Sequence, residues 1–167
     1  NCIENPQMIF DEMYKWIENK QIVAIGEIGL EDLTDLEIEI FKKQLDIAEE
    51  TNSKVIIHTP RKNKLEVLKV ILDIVPQHLD ESQAVIDHIN SDVIGEVIDN
   101  DYMLGLTVQP QKLDVNGAID ILDNYGFDNF LLNSDMSNKP SDHLSVAKTV
   151  RELTRLGFKK GDIEKIS

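Results

Sequence analysis

The chain has 167 residues, 41% of them hydrophobic and 29% charged, which is enough for one domain with a real core. Its formal net charge of -14 argues against a sequence-independent grip on extended DNA or RNA, because that grip needs a basic surface to displace counterions. A small phosphate-bearing substrate, held by metals and a few basic side chains, stays open. A single cysteine, Cys2, excludes an internal disulfide and fits a reducing cytoplasm, and no apolar run approaches the length of a membrane span.

The hydrophobic spacing predicts a helix from Pro6 to Asn19, with Asn5 as its N-cap and proline in its first turn. Ile22 to Ile28 is a β-rich run broken by glycines. Thr34 or Asp35 caps a long amphipathic helix to about Thr51, with Leu36, Ile40, Phe41, Leu45 and Ile47 or Ala48 inward. Val55 to Ile57 is a short apolar strand, and Lys62 to Val75 a helix stopped by Pro76. A strand over Ala84 to Ile86 follows, then a short helix capped by Ser91 and reaching about Ile98. Tyr102 to Val108 is a strand, Val115 to Tyr125 a helix ending at Gly126, and Phe130 to Leu132 another strand. Ser141 starts a helix to about Leu156, with Gly157 as C-cap, and Gly161 and Asp162 open one more.

The pattern is a helix followed by five consecutive βα units. Short, wholly apolar strands fit a parallel sheet covered on both faces, with right-handed crossovers. A closed (β/α)8 barrel takes roughly 250 residues. Two architectures fit: a compact five-stranded doubly wound domain, or a partial TIM (β/α)8 barrel in which residues 1–167 form a single domain, the C-terminal portion of the whole. The residues at the strand ends favour the second.

Four strands end in a residue that can hold a divalent metal: VAIGEIGLE in Glu27, KVIIHTPR in His58, AVIDHIN in His88 and FLLNSDMS in Asp135. Parallel strands bring their C-terminal ends to one face, so two imidazoles and two carboxylates can meet there as a hydrolase metal site. Taken singly, each has an ordinary reading: a loop carboxylate, a hydrogen-bonded structural histidine, a helix N-cap. Together, four ligand types at the ends of five strands point to a site. Asp87 alternates away from His88 and takes a structural or supporting role. Arg61 is a candidate anion clamp, and Thr107, Gln109 and Lys112, from YMLGLTVQPQK, are candidate substrate contacts. His78 and His143 are expected to face solvent.

The series GEIGLE, IIHTPR, IDH and NSD resembles the TatD-related branch of the metal-dependent hydrolases, within the amidohydrolase superfamily. TVQPQK and the opening CIENP are similar to an archaeal group of predicted TIM-barrel hydrolases in that branch. The resemblance implies that Glu27 bridges two divalent metal ions, that His58 and His88 hold the second, and that Asp135 holds the first and accepts the proton of the nucleophilic water. Mixed histidine and carboxylate ligands suit Zn, Mn, Ni or Fe, and Mg less well. The family also carries an His-x-His pair on its first strand, and this sequence has none. The chain therefore reads as a barrel lacking its first three βα units and its last helix, with uncovered edges that favour self-association.

The leading expectation is a cytoplasmic metal-dependent hydrolase acting on a small-molecule or nucleotide substrate, with no membrane role. Metal-activated water would attack a phosphodiester, as in a TatD deoxyribonuclease, or an amide or ester. The alternative is a non-catalytic barrel fragment acting as a binding or assembly module. A nucleotide-binding doubly wound domain ranks below both, because no Gly-rich phosphate loop is present.

Overall fold

Local capping chemistry sets the start of two helices and the end of three. A computed structural model describes residues 6–136 and 141–167, so Cys2 and the expected cap Asn5 lie outside the described residues. The chain divides into two compact units, Asn1–Val85 and Ile86–Ser167.

In the first unit, α1 (Pro6–Glu18) buries Phe10 and Met13. Strand β1 spans Ile25–Gly29 and leads to α2 (Asp35–Thr51). Thr34 opens α2 with a reciprocal cap: its hydroxyl accepts from the Glu37 N–H at 3.3 Å, and the Glu37 carboxylate accepts from the Thr34 N–H at 3.1 Å. The helix ends where Asn52 turns left-handed, at φ 50°. It buries Phe41, Leu45, Ile47 and Ala48. Leu36, expected inward, is exposed, because a residue five positions before Phe41 lies about 140° around the helix from it. Strand β2 (Val55–His58) runs parallel to β1, and its last residue, His58, pairs with Gly29. Helix α3 (Lys64–Ile74) continues into one 3-10 turn, Val75–Gln77, that takes in Pro76.

Strand β3 (Ala84–Ile86) straddles the division. In the second unit, β4 (Met103–Thr107) and β5 (Phe130–Asn133) pair in parallel from Leu104 with Phe130 to Thr107 with Asn133. Between them lies α4 (Val115–Tyr125), whose cap Asp114 accepts from the Gly117 N–H at 2.7 Å. Helix α5 (Ser145–Leu156) stops at Gly157, whose φ of 87° needs glycine, and α6 (Lys160–Ile166) follows.

Two expected helices differ. The segment after Ser91 forms turns with one 3-10 turn at Ile94–Glu96. The Asn90 side chain accepts from the Asp92 N–H at 3.2 Å, and i to i+3 bonds then carry the chain through Glu96 and Val97. Such side-chain capture of the backbone competes with a helix. The other helix begins at Ser145 rather than Ser141, because Asp142 holds the Leu144 N–H at 3.0 Å in a turn of its own.

The five strands form one sheet in the order β1-β2-β3-β4-β5. A doubly wound sheet reverses its strand order at a switch point, whereas barrel strands follow one another without reversal. The expected run of consecutive barrel-type strands is therefore present, and the doubly wound alternative is removed. The connection from β3 to β4 is made of turns instead of a helix. Among the described residues, no helix is long and apolar enough to cross a membrane.

Gly29 decides how closely β1 and β2 approach at the ligand-bearing end. Its φ is +155°, and a Cβ there would lie 2.6 Å from the His58 carbonyl oxygen. Gly29→Ala is expected to cost roughly 1–3 kcal/mol of stability, read as a lower Tm. An unchanged Tm would mean that the strand ends can move apart freely.

Candidate metal centre

Glu27 lies inside β1, two residues after the strand begins. A Cβ on the preceding Gly26 would lie 2.9 Å from the Ile56 Cβ, so this glycine lets the two backbones close. His58 ends β2 half-buried, with Nε2 3.0 Å from the Glu31 carboxylate. Glu31 is a partner that the sequence reading passed over. It was legible only as the last letter of GEIGLE, since nothing in spacing says which carboxylate a strand-end histidine will meet.

His88 follows β3 in the left-handed region, at φ +64°. Asp135 follows β5 in the same region, at φ +37°. Non-glycine residues held there carry strain and cluster at functional sites. In the first unit, Glu27 and His58 each offer one ligand atom, and these two atoms lie within 4.8 Å of one another. A carboxylate and an imidazole at that separation are suited to share an ion at bond lengths of about 2.0–2.2 Å, and His88 offers a further imidazole in the second unit. The donor set fits a divalent transition metal. Asp135 is not in this group; its Oδ2 accepts from the Lys112 ammonium instead.

A buried network orients His88. The Asp87 carboxylate accepts at one oxygen, Oδ1, from the His88 N–H at 2.7 Å, the Thr107 hydroxyl at 3.1 Å and the Asn133 amide at 2.8 Å. Gly105 makes room for it: a Cβ there would lie 2.1 Å from that same oxygen. Thr107 spends its proton on Asp87, so it accepts from His88 Nδ1, 2.6 Å away. The second Asp87 oxygen is 3.5 Å from Nδ1 as well. The Lys112 ammonium stands 3.2 Å from Nε2 and 3.4 Å from Nδ1, so it favours neither nitrogen. The Thr107 contact assigns the proton to Nδ1, the tautomer whose Nε2 can ligate a metal.

The proposed substrate contacts divide. Thr107 is 1% and Gln109 7% exposed, and both serve the framework. Thr107 holds His88, and the Gln109 amide donates to the carbonyl oxygens of Ser134 and Asp135. A polar side chain at a strand end turned inward because unpaired carbonyls and a buried carboxylate needed donors there. Lys112 sits on His88 and Asp135, while Arg61 is exposed in the segment between β2 and α3. His143 is exposed as expected, but His78 is partly buried, with Nδ1 2.6 Å from Asp46.

The family model described as TatD related DNase matches residues 1–166. An uncharacterized metal-dependent hydrolase of Methanocaldococcus jannaschii is 37% identical over 165 residues, which are 98% of this chain and 64% of that protein. The chain thus spans less than two thirds of that relative's length. The crystal structure of the TatD-like protein of Archaeoglobus fulgidus matches with a TM-score of 0.72 and 33% identity, over 91% of this chain and 60% of that one. The phosphotriesterase homology protein of Escherichia coli, solved with phosphate in its active site, shares the fold at a TM-score of 0.68 and 18% identity, over 86% of this chain and 56% of that one.

Thr107→Val keeps the shape and removes the hydroxyl that links Asp87 to His88. Loss of such an outer partner is expected to weaken metal binding roughly 10–100-fold, and to change the 15N shifts of the His88 ring as Nδ1 loses its acceptor. Thr107→Ser should restore both. Ring shifts that stay the same in the valine variant would remove the link.

Proposed function

The chain belongs to the TatD-related DNase family, and on that premise we propose that it carries the ligand-bearing part of a metal-dependent hydrolase that cleaves a phosphodiester in a small, nucleotide-like substrate. The observation that carries this reading is the close approach of Glu27 and His58 within the first unit, and His88, fixed by its own buried network in the second, is the proposed third ligand. A divalent ion held by these side chains supplies Lewis acidity and brings a water within reach of ionisation near neutral pH.

The chain's own residues supply the rest of the proposal. Thr107 and Asp87 hold the His88 ring at Nδ1, which would leave Nε2 as the atom to ligate an ion. Glu31, bonded to His58 Nε2, orients that ring through its carboxylate. Asp135 is the proton acceptor, set at a strand end and steadied through its own carbonyl by Gln109. Arg61, exposed three residues after His58, and Lys112, paired with Asp135, are the cations that suit an anionic oxygen of the substrate.

The net charge of -14 directs the proposal toward short or mononucleotide substrates, because an acidic surface repels a long polyanion. The description of the family as DNases supports a phosphodiester over an amide or ester.

Two measurements test the proposal. Glu27→Gln, His58→Ala and His88→Ala should each weaken Zn2+ or Mn2+ binding by about tenfold or more in calorimetry; normal binding in all three would sink the ligand assignment. Asp135→Asn should lower turnover of a phosphodiester such as bis(p-nitrophenyl) phosphate by about 10²–10⁴ while leaving Tm close to that of the parent. Full activity in that variant would remove Asp135 as proton acceptor, and hydrolysis of p-nitrophenyl acetate in preference to the phosphodiester would redirect the substrate class.

A further inference from the structure

Asn133 closes β5, two residues before Asp135, and lies opposite Thr107 in the parallel pairing. Its backbone is engaged there, the carbonyl accepting from the Val108 N–H at 2.9 Å. Its side chain reaches elsewhere. The amide nitrogen donates to Asp87 Oδ1 at 2.8 Å, across 46 residues of sequence. Strand β4 lies between β3 and β5, so this bond joins the ends of two strands that do not pair with each other. Gly105 on β4 leaves the room, because a Cβ there would lie 2.1 Å from the same Asp87 oxygen. Asp87, His88, Gly105, Thr107 and Asn133 all belong to the second unit.

The same amide carries an unmet need. Its oxygen, Oδ1, is buried and has no hydrogen-bond partner among the described residues. Turning the amide over is no remedy, since the oxygen would then face the Asp87 carboxylate. A buried acceptor left unpaired lowers stability, and a leucine of similar shape would avoid it. What leucine cannot do is donate, so the bond to Asp87 is what the asparagine supplies. Asp87 Oδ1 also accepts from the His88 N–H and the Thr107 hydroxyl, and Thr107 stands 2.6 Å from His88 Nδ1. Lys112 touches both His88 and Asp135 as well, but through a flexible four-carbon stem. The Asn133 bond starts from a residue held by its own strand pairing.

We propose that Asn133 is a positioning residue: its amide fixes Asp87, and through Asp87 and Thr107 the His88 ring, to the strand end that carries Asp135. The parts played by His88 and Asp135 in hydrolysis rest on the function proposed above; the placement of the His88 ring does not.

The test compares the parent, Asn133→Leu, Thr107→Val and the double variant. Histidine-ring 15N spectra of the chelator-treated chain come first, and turnover of bis(p-nitrophenyl) phosphate with Mn2+ follows. The His88 signals should move in Asn133→Leu, while those of His78, paired with Asp46, and of exposed His143 stay in place. The double variant should leave His88 where Thr107→Val alone leaves it, because both substitutions act through one carboxylate. The kcat of Asn133→Leu should fall about tenfold or more, with KM close to that of the parent. His88 signals that stay in place overturn the proposal, and with a lowered Tm they make the bond a purely structural one. Shifts that add in the double variant also overturn it, since Asn133 would then act by another route. An unchanged kcat beside moved signals removes the positioning role in the reaction. If the His88 signals move while the parent itself hydrolyses nothing, the proposed hydrolysis falls and the placement of His88 by Asn133 stands. Should Asn133→Leu not fold, Asn133→Ala takes its place with the same outcomes.

Discussion

The buried carboxylate of Asp87 is the constraint on which the second unit's site depends. A carboxylate taken out of water is costly unless its oxygens are bonded, and this one collects donors from the backbone after β3, from the end of β4 and from the end of β5. The absence of a side chain at Gly105 is what permits it, because any Cβ there would overlap the oxygen that accepts all three bonds. Satisfying Asp87 orders Thr107, and ordering Thr107 decides which nitrogen of His88 carries the proton. A residue that touches no substrate therefore sets the chemistry of one that is proposed to hold the ion.

The first unit reaches a comparable result by a different route. Two glycines bring β1 and β2 together, and the register sets Gly29 opposite His58. His58 then meets a carboxylate, Glu31, from the loop that follows β1. Both proposed histidine ligands thus have an acceptor within bonding distance of one ring nitrogen. Imidazoles left without such partners rotate and change tautomer, and they hold an ion poorly. The left-handed backbone at His88 and Asp135 fits the same economy, since strained residues persist where surrounding bonds over-determine them.

Acidic composition is compatible with the proposed anionic substrate because charge is managed locally. The cations beside the proposed chemistry are few and placed: Lys112 against Asp135, with Arg61 exposed beyond β2. In the proposed reading, the chain's net charge of -14 would favour short substrates over long polyanions. It does not prevent a divalent ion from binding; carboxylates near a cation site favour it.

Much of the fold was legible in the sequence because it follows from local rules. Hydrophobic period, Thr34, Gly126 and Gly157 located the long helices and several of their ends, and short apolar runs located the five strands. Local rules failed where a side chain captured the backbone, at Asn90 and Asp142, and moved or melted a helix that periodicity alone supports. The candidate ligands Glu27, His58 and His88 were legible as residue types at strand ends, since parallel strands deliver such residues to one face. Which polar residues serve the site from behind was not legible. Thr107 and Gln109 look like substrate contacts by type and position, yet tertiary packing turned them to Asp87, His88 and the end of β5, where buried acceptors needed their protons. Sequence alone thus determined which groups stand at the strand ends. Only the tertiary structure decided which of them face outward as chemistry and which face inward as support, because that choice depends on bonds between strands far apart in the chain.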